Sequence, residues 1–377
     1  CFERSFEKIS FYRGICCMFK LSFKYFLFVF LLIITCGQVF AEETTVLPLI
    51  PDLQNSFPHS RYRYTLGGRP AIVNVITIEE ESPYEVRLAF GSRKMRARHS
   101  VRYIARYAYA GVNAQYFKGD GTPLGLSIVN GKLLTGPLFS RTAFGVTEDE
   151  EYKIGEVSLS GRVSISGNTL PLTNINQPIM SSKGAYIYNN LWGRYTPETS
   201  SEYYHVVVKR GRIKEIATGR VRIPAKSYAV VFNKKQLKKN LECKARVRYK
   251  YTLTPDIWND MEYAVAAGPV LVRNGKKFIQ NQRFQNDIFK GKAPRTAIGF
   301  SKDNRLIILT VDGRQKGVSE GATLSELADL MLSFGAYQAM NFDGGGSTQM
   351  VINGHLINCP SEKPARKVSN AIVIYRK

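Results

Sequence analysis

The chain is most tightly constrained at Asn341-Phe342-Asp343-Gly344-Gly345-Gly346-Ser347-Thr348. A strand-like run, Tyr337 to Phe342, leads into this stretch. Another, Gln349 to Asn353, leaves it for the turn pair Asn353-Gly354. Three consecutive glycines permit backbone shapes that other residues resist, so the chain is expected to turn sharply between two strands. Glycines also let a ligand reach the main chain, where successive N–H groups form a concavity for an anion. Two readings fit. One is a hairpin turn in which Asp343 caps the backbone; the other is a site where a ligand sits between the carboxylate and the donors. The stretch is not a nucleotide loop, because no Gly-Lys-Ser/Thr follows the glycines, and it lacks the spacing of a dinucleotide fingerprint.

Strand signal dominates elsewhere. Ala71 to Ile78, Glu85 to Phe90, Tyr203 to Val208, Tyr228 to Phe232, Ala245 to Thr252, Arg305 to Val311 and Val368 to Tyr375 are rich in β-branched and aromatic residues. Asn130-Gly131, Asn274-Gly275, Asp312-Gly313 and Asn353-Gly354 punctuate them as turns. Two helices are legible. Val101 to Tyr109 follows Ser100, a good N-cap. The second opens at Thr323 with Glu326 at capping-box spacing, and Leu324, Leu327, Leu330, Met331 and Phe334 share one of its faces. The expectation is an α+β fold with large, mostly antiparallel sheets and a few helices, in a single domain over 61–377.

The N-terminal 41 residues read differently. From Met18 onward, Lys20 and Lys24 precede the apolar run Tyr25 to Ile34, and Val39-Phe40-Ala41 suits signal peptidase. Residues 1–41 are therefore expected to be upstream sequence plus a signal peptide cut after Ala41, and 42–60 a polar linker. The apolar run falls short of the roughly 20 residues that span a bilayer. The expected location is outside the cytoplasm, in the periplasm or the medium.

Only Cys243 and Cys359 lie beyond that leader, so a disulfide scaffold is excluded, while one bridge or two free thiols both remain open. No Cys/His spacing suits zinc. His59, His99, His205 and His355 are scattered and read as surface or structural residues.

The formal net charge is +23. It concentrates at Arg93 to Arg106 and at Lys209 to Lys250, the latter holding 15 Lys/Arg against Glu215 and Glu242. Such a face attracts polyanions or an envelope surface, or is simply solvated. No nucleic-acid-binding signature accompanies it, so nucleic acid is not an expected partner.

Several further segments place polar residues beside glycines at strand ends, where a rigid sheet holds a site. They are Asn113-Ala114-Gln115-Tyr116-Phe117, Gly268-Pro269-Val270-Leu271-Val272, Arg295-Thr296-Ala297-Ile298-Gly299 and Val311-Asp312-Gly313-Arg314. With Thr323 to Ala328, the glycine stretch and Ser369-Asn370-Ala371, they form seven ordered motifs. In that order they resemble the phosphodiester glycosidase family. Two departures stand out. Ala114-Gln115 replaces small glycine positions of the first motif, and Ala267 replaces a glycine before Gly268-Pro269; both are expected to reshape the pocket.

The resemblance implies hydrolysis of a sugar-1-phosphodiester at the glycosidic C–O bond. A phosphomonoester leaves readily, so recognition of the anion and a carboxylate near the anomeric carbon matter more than strong general acid help. Most glycosidases use two carboxylates, and the candidates are Asp343, Asp312 and Glu326. Asp343 is assigned as nucleophile or base, and Asp312 as the second carboxylate. Glu326 is either a third candidate or only the closing residue of its capping box.

Arg295, with Thr296 beside it, is the expected phosphate clamp. The N–H groups of Gly344, Gly345 and Gly346, with Ser347 and Thr348, are expected to hold the remaining oxygens. Asn113 and Asn370 would bind sugar hydroxyls or orient carboxylates. Arg314 either joins the clamp or pairs at the surface. No cofactor is required, although oxygen ligands leave room for one Ca²⁺ or Mg²⁺. The expected partner is a sugar-1-phosphodiester or an anionic envelope polysaccharide. A metal-dependent phosphodiesterase and a non-catalytic polysaccharide binder are the alternative readings.

Overall fold

The computed structural model describes residues 57–377 and the backbone of Leu47–Pro48. The expected leader and most of the expected linker lie outside the described residues. A strand, His59–Leu66, already begins within the last residues assigned to that linker.

The frame is an eight-stranded antiparallel sheet. Its order is Leu47–Pro48, His59–Leu66, Arg69–Ile78, Leu306–Val311, Arg295–Phe300, Gln338–Asn341, Val270–Arg273 and Lys276–Lys277. Leu306–Val311 is buried along its whole length, as expected of a strand covered on both faces. One face takes the helix Leu324–Ser333: Leu324, Leu327, Ala328, Leu330 and Met331 pack on Val73, Val75, Ile307, Leu309 and Val311. The helix begins where the sequence placed its cap, and the full capping box of Thr323 and Glu326 is present.

The opposite face carries Ile76, Ile78, Ile298, Ile308 and Met340. These meet Val86, Leu88, Val112, Met350, Ile352, Ile372 and Ile374 of a five-stranded sheet, ordered His355–Leu356, Met350–Ile352, Ala110–Asn113, Asn370–Arg376, Tyr84–Phe90. A second five-stranded sheet holds Thr142–Thr147 and Met261–Ala266 at its centre. A seven-stranded sheet takes most of 158–254, with one parallel pair, Asn168–Ile175 with Ala185–Asn189.

The α+β, single-domain expectation is therefore corrected. The fold is mostly β, arranged in four sheets over several separate cores, and among the described residues its α-helices are Val101–Ile104, Asn286–Phe289 and Leu324–Ser333. The seven-stranded sheet closes its own apolar cluster around Val163, Ile187, Val206, Val230 and Phe232. The helix expected over 101–109 stops at Ile104 because the chain beyond it is recruited into a sheet. Tyr109 N–H donates to Ile374 O at 2.8 Å, and Ala110–Asn113 is already strand.

The glycine stretch is not a hairpin turn. Gln338–Asn341 belongs to the eight-stranded sheet, and Met350–Ile352 to the five-stranded sheet facing it across the core. The turn is thus the crossover between two layers, and it sits at the rim of the sandwich.

Candidate active site

Each glycine of the turn is there for a local reason. Gly345 adopts φ +60°, in the left-handed region that favours glycine. A Cβ on Gly344 would lie 2.8 Å from Pro294 O, and one on Gly346 would overlap the Glu362 carboxylate and the Arg366 guanidinium. The N–H groups are less free than the sequence suggests. Gly345 N–H donates to Pro294 O at 2.8 Å, and Gly344 N–H faces the Asp343 carboxylate. Two of the three expected anion donors are therefore spent inside the turn.

Asp343 is partly buried at the head of this turn. Burial pushes its carboxyl up to about 6, against the opposing effects of the Ser347 hydroxyl, the Arg366 charge and Gly344 N–H. Its main chain is pinned on both sides. Asp343 N–H donates to Ala114 O at 2.9 Å, and Asn113 Nδ2 donates to Asp343 O at 2.5 Å.

Arg295 lies alongside, its Cδ 3.8 Å from where a Gly344 Cβ would sit. It is only 4% exposed. Its Nε donates to Ala322 O at 3.0 Å and its Nη2 to Gly291 O at 3.3 Å. Nη1 has no partner among the described residues, and no carboxylate there pairs with this guanidinium. Burial pulls its pKa down. A buried guanidinium without a counter-charge calls for an anion. Arg314 is exposed, and its Nη2 lies 3.1 Å from where a Gly345 Cβ would sit.

The remaining residues singled out in the sequence form a frame rather than a face. Asp312 is 1% exposed; its Oδ1 accepts from Asn358 Nδ2 at 2.9 Å, and both carboxylate oxygens accept from Cys359 N–H at 3.0 and 3.1 Å. Glu326 closes the capping box and pairs with Lys292. Asn370 is bonded to Gln115 through both ends of its amide, at 3.1 and 2.9 Å. The Thr296 hydroxyl donates to Asn113 Oδ1 at 2.9 Å and lies 3.4 Å from Thr348 Oγ1. Ser347 is fully buried between Asp343 and Arg366, whose Nη1 reaches its Oγ at 3.5 Å.

Sequence reasoning missed four contributors. Arg366 and Glu362 form an ion pair over Gly346, with Nε donating to Oε2 at 3.0 Å. Their only sequence signal is an acid and a base four apart in a Pro-bearing loop. Tyr116 donates its hydroxyl to Gly268 O at 3.0 Å and accepts from Asn341 Nδ2 at 2.9 Å. Burial and the neighbouring Asp343 charge hold the Tyr116 phenol protonated, well above its usual range. Arg141 lies 3.9 Å over the Phe284 ring, whose centroid is 5.5 Å from that of Tyr116.

Ala114 and Ala267 are both core residues at 1% exposure, packed with Phe342. They fill the layer beneath the turn rather than reshape its opening. Cys243 and Cys359 are both free and exposed. Among the described residues, no group of three or more His, Cys, Asp or Glu side chains is placed so that it could hold a metal ion.

The geometry brings a carboxylate of raised pKa and a guanidinium without a counter-charge to one glycine crossover. The comparisons with known proteins narrow the reading of this site. Residues 202–375 match the phosphodiester glycosidase family model, and that segment contains six of the seven motifs, all but the one at Asn113. The family resemblance read from the motifs holds, and this part of the chain is homologous to phosphodiester glycosidases.

Among relatives, the chain is 42% identical over 83 residues to the SPbeta prophage-derived uncharacterized protein YomE of Bacillus subtilis (strain 168), covering 22% of this chain and 13% of that protein. It is 31% identical over 127 residues to bovine (Bos taurus) N-acetylglucosamine-1-phosphodiester alpha-N-acetylglucosaminidase, covering 28% of this chain and 23% of that enzyme. The chain thus spans less than a quarter of the length of either relative. In fold it is similar to a hypothetical protein from Synechocystis, with TM-score 0.77, 22% identity, and 85% of this chain and 62% of that one covered.

Proposed function

We propose that this protein hydrolyses a sugar-1-phosphodiester, breaking the glycosidic C–O bond and releasing a phosphomonoester. The observation that carries the reading is that Asp343, raised to about 6, heads the same glycine turn that Arg295, a buried guanidinium lacking a protein counter-charge, lies against. The homology of 202–375 to phosphodiester glycosidases supports the same reaction class.

In this reading Arg295 Nη1 and the Arg314 guanidinium hold the phosphate oxygens. Arginine suits the task, because its planar fork matches two oxygens at once. The Asp343 carboxylate, aimed by Ser347 Oγ and Gly344 N–H, meets the anomeric carbon or the water that attacks it. Water supplies a hydroxyl to C1 and its remaining proton passes by way of the Asp343 carboxylate to the solvent, while the C1–O bond breaks and its electron pair leaves on the phosphate. Glu362, held by Arg366 above the turn, is the second carboxylate at the opening. Asp312 and Glu326 act as struts for their loops, not as acids. Tyr116 and the Arg141–Phe284 pair flank the sugar side.

Export and a role in envelope or exopolysaccharide metabolism complete the proposal. They rest on the leader-like 18–41 and on the basic surface, and such polymers supply glycosyl phosphodiesters.

The test is turnover of an α-N-acetylglucosamine-1-phosphodiester by the full chain in water enriched in heavy oxygen. Label in the sugar is the expected result. Label in the phosphate means P–O cleavage and overturns the roles given to Asp343 and Arg295. Binding without turnover, across several sugar phosphodiesters, would favour a polysaccharide-binding protein.

A further inference from the structure

We propose that the basic hollow beside the glycine turn is a second anion site, which takes a negatively charged group on the alcohol side of the scissile phosphodiester. The inference rests on the functional reading above and names its substrate class: a sugar-1-phosphodiester whose alcohol bears a further phosphate or carboxylate, as in a chain of repeating sugar phosphates.

The hollow has a volume of about 570 Å³, and its charged lining is Arg69, Lys292, Arg314, Lys316 and Glu320. It is continuous with the clamp for a structural reason. Gly291, also in its lining, accepts a hydrogen bond from Arg295 Nη2 at 3.3 Å. Gly313 has no room for a side chain against Pro294, so the chain before Arg295 and the chain before Arg314 close on each other. Arg314 then faces both ways, over Gly345 on one side and into the hollow on the other.

Four cations face one carboxylate in this lining. Glu320 is already paired with Arg69 at 2.5 Å. Lys292 is held by Glu326 and by Leu66 O at 2.8 Å. Arg314 and Lys316 have no ion-pair partner among the described residues. No aromatic side chain lines the hollow, so it offers no ring face on which a pyranose could stack. What it offers is charge and N–H donors, beside the position assigned to the first phosphate. A group carrying its own negative charge, one unit further along the alcohol, meets both requirements.

The experiment compares two esters of α-N-acetylglucosamine-1-phosphate on the full chain, one with methanol and one with glycerol 3-phosphate as the alcohol. The expected result is about a tenfold higher kcat/KM for the charged ester at low salt, shrinking as ionic strength rises. Lys316→Glu, an exposed change outside the clamp, should abolish that preference and leave the methyl ester rate unchanged. Equal rates for the two esters in the wild type overturn the proposal, as does a preference that survives Lys316→Glu.

If neither ester turns over, the functional reading has failed, and the hollow is tested by calorimetric titration with inorganic tripolyphosphate. Binding that weakens about tenfold in Lys316→Glu supports an anion site. No binding, or equal affinity in both proteins, overturns it.

Discussion

Asp343→Asn should inactivate the protein and at the same time stabilise it at neutral pH. The folded carboxyl is raised from 3.8 to about 6 by burial. Between those values the folded protein binds more protons than the unfolded chain, so stability falls as pH rises through the window. Above about pH 6 the cost of holding the charge in the fold is fully present. Each unit is worth about 1.4 kcal/mol, which gives about 3 kcal/mol, an upper bound because the side chain is partly exposed. An amide keeps the shape, still accepts from Ser347 and removes the charge.

Thermal melts of both proteins at pH 8 and pH 4 read the effect. At pH 8 the variant should melt higher, on the order of 5 °C. Near pH 4 the gain should vanish, because the wild-type carboxyl is then protonated in the fold. On the activity side, kcat/KM of the wild type should rise with pH through about 6 and then level, as for a group that works ionised. An Asp343→Asn protein that melts no higher at pH 8, or that retains near-normal turnover, would refute the reasoning.

Three further outcomes are expected. Arg295→Lys keeps a charge but loses the fork, so kcat/KM should fall about tenfold to a hundredfold, and the melting temperature should drop as well because Ala322 O and Gly291 O lose their donors; a rate within about twofold of wild type would remove Arg295 from the clamp. Asp312→Ala takes the acceptor from Cys359 N–H and leaves Asn358 Nδ2 with Thr348 O alone, so a denaturant titration should show a loss of about 1–3 kcal/mol. Its folded fraction, assayed in the cold, should keep most of its turnover; loss of turnover without loss of stability would restore Asp312 as a catalytic group. Gly346→Ala pushes a methyl into the Glu362–Arg366 pair and should lower kcat/KM by about tenfold or more with little effect on the melting temperature, because the added carbon meets a rim ion pair and not the core; unchanged kinetics would show that the pair plays no part.

Much of the frame was legible because its strands are doubly covered. Leu306–Val311 and Arg69–Ile78 are near-continuous β-branched runs, and such runs have few alternatives to a buried strand. The α+β reading failed where the strands are half exposed. Ser158–Ile165 and Asn168–Ile175 alternate small and polar residues with sparse apolar ones, and their outward positions are solvated. Seen one window at a time they read as loop. Only their pairing to each other and to Val247–Thr254 and Ala185–Asn189 makes them a sheet. The short helix at Val101 is the converse case: its N-cap is local and was visible, but its end is set by a bond from Tyr109 to Ile374, a partner 265 residues away.

The site divides along the same line. Glycines, an aspartate and an arginine at strand ends mark the candidate site in the sequence. Which of them faces a ligand was not local information. Asp312 and Asp343 look alike in sequence, each an Asp-Gly after a strand. They differ because Asn358 and Cys359 fold back from a distant loop onto Asp312, whereas the groups that reach the Asp343 carboxylate, Gly344 N–H and Ser347 Oγ, belong to its own turn.

The same folding back accounts for the many polar residues gathered round the turn. Asn113 alone ties three segments, giving Nδ2 to Asp343 O and taking Thr296 Oγ1 and Gln349 N–H on Oδ1. A crossover between two sheets leaves main-chain groups without ladder partners, and each must be matched if it is buried. Asn113, Thr296 and Asn370 match them and anchor the neighbouring loops. Once they have done so, Asn341 Oδ1 and one nitrogen of the buried Arg295 guanidinium are still unmatched at the turn, and the raised Asp343 carboxylate is met by Ser347 Oγ and Gly344 N–H. Groups fixed in place before a ligand arrives need no reorganisation when charge develops. A frame this heavily bonded is therefore itself an argument that Asp343 and Arg295 are held for chemistry.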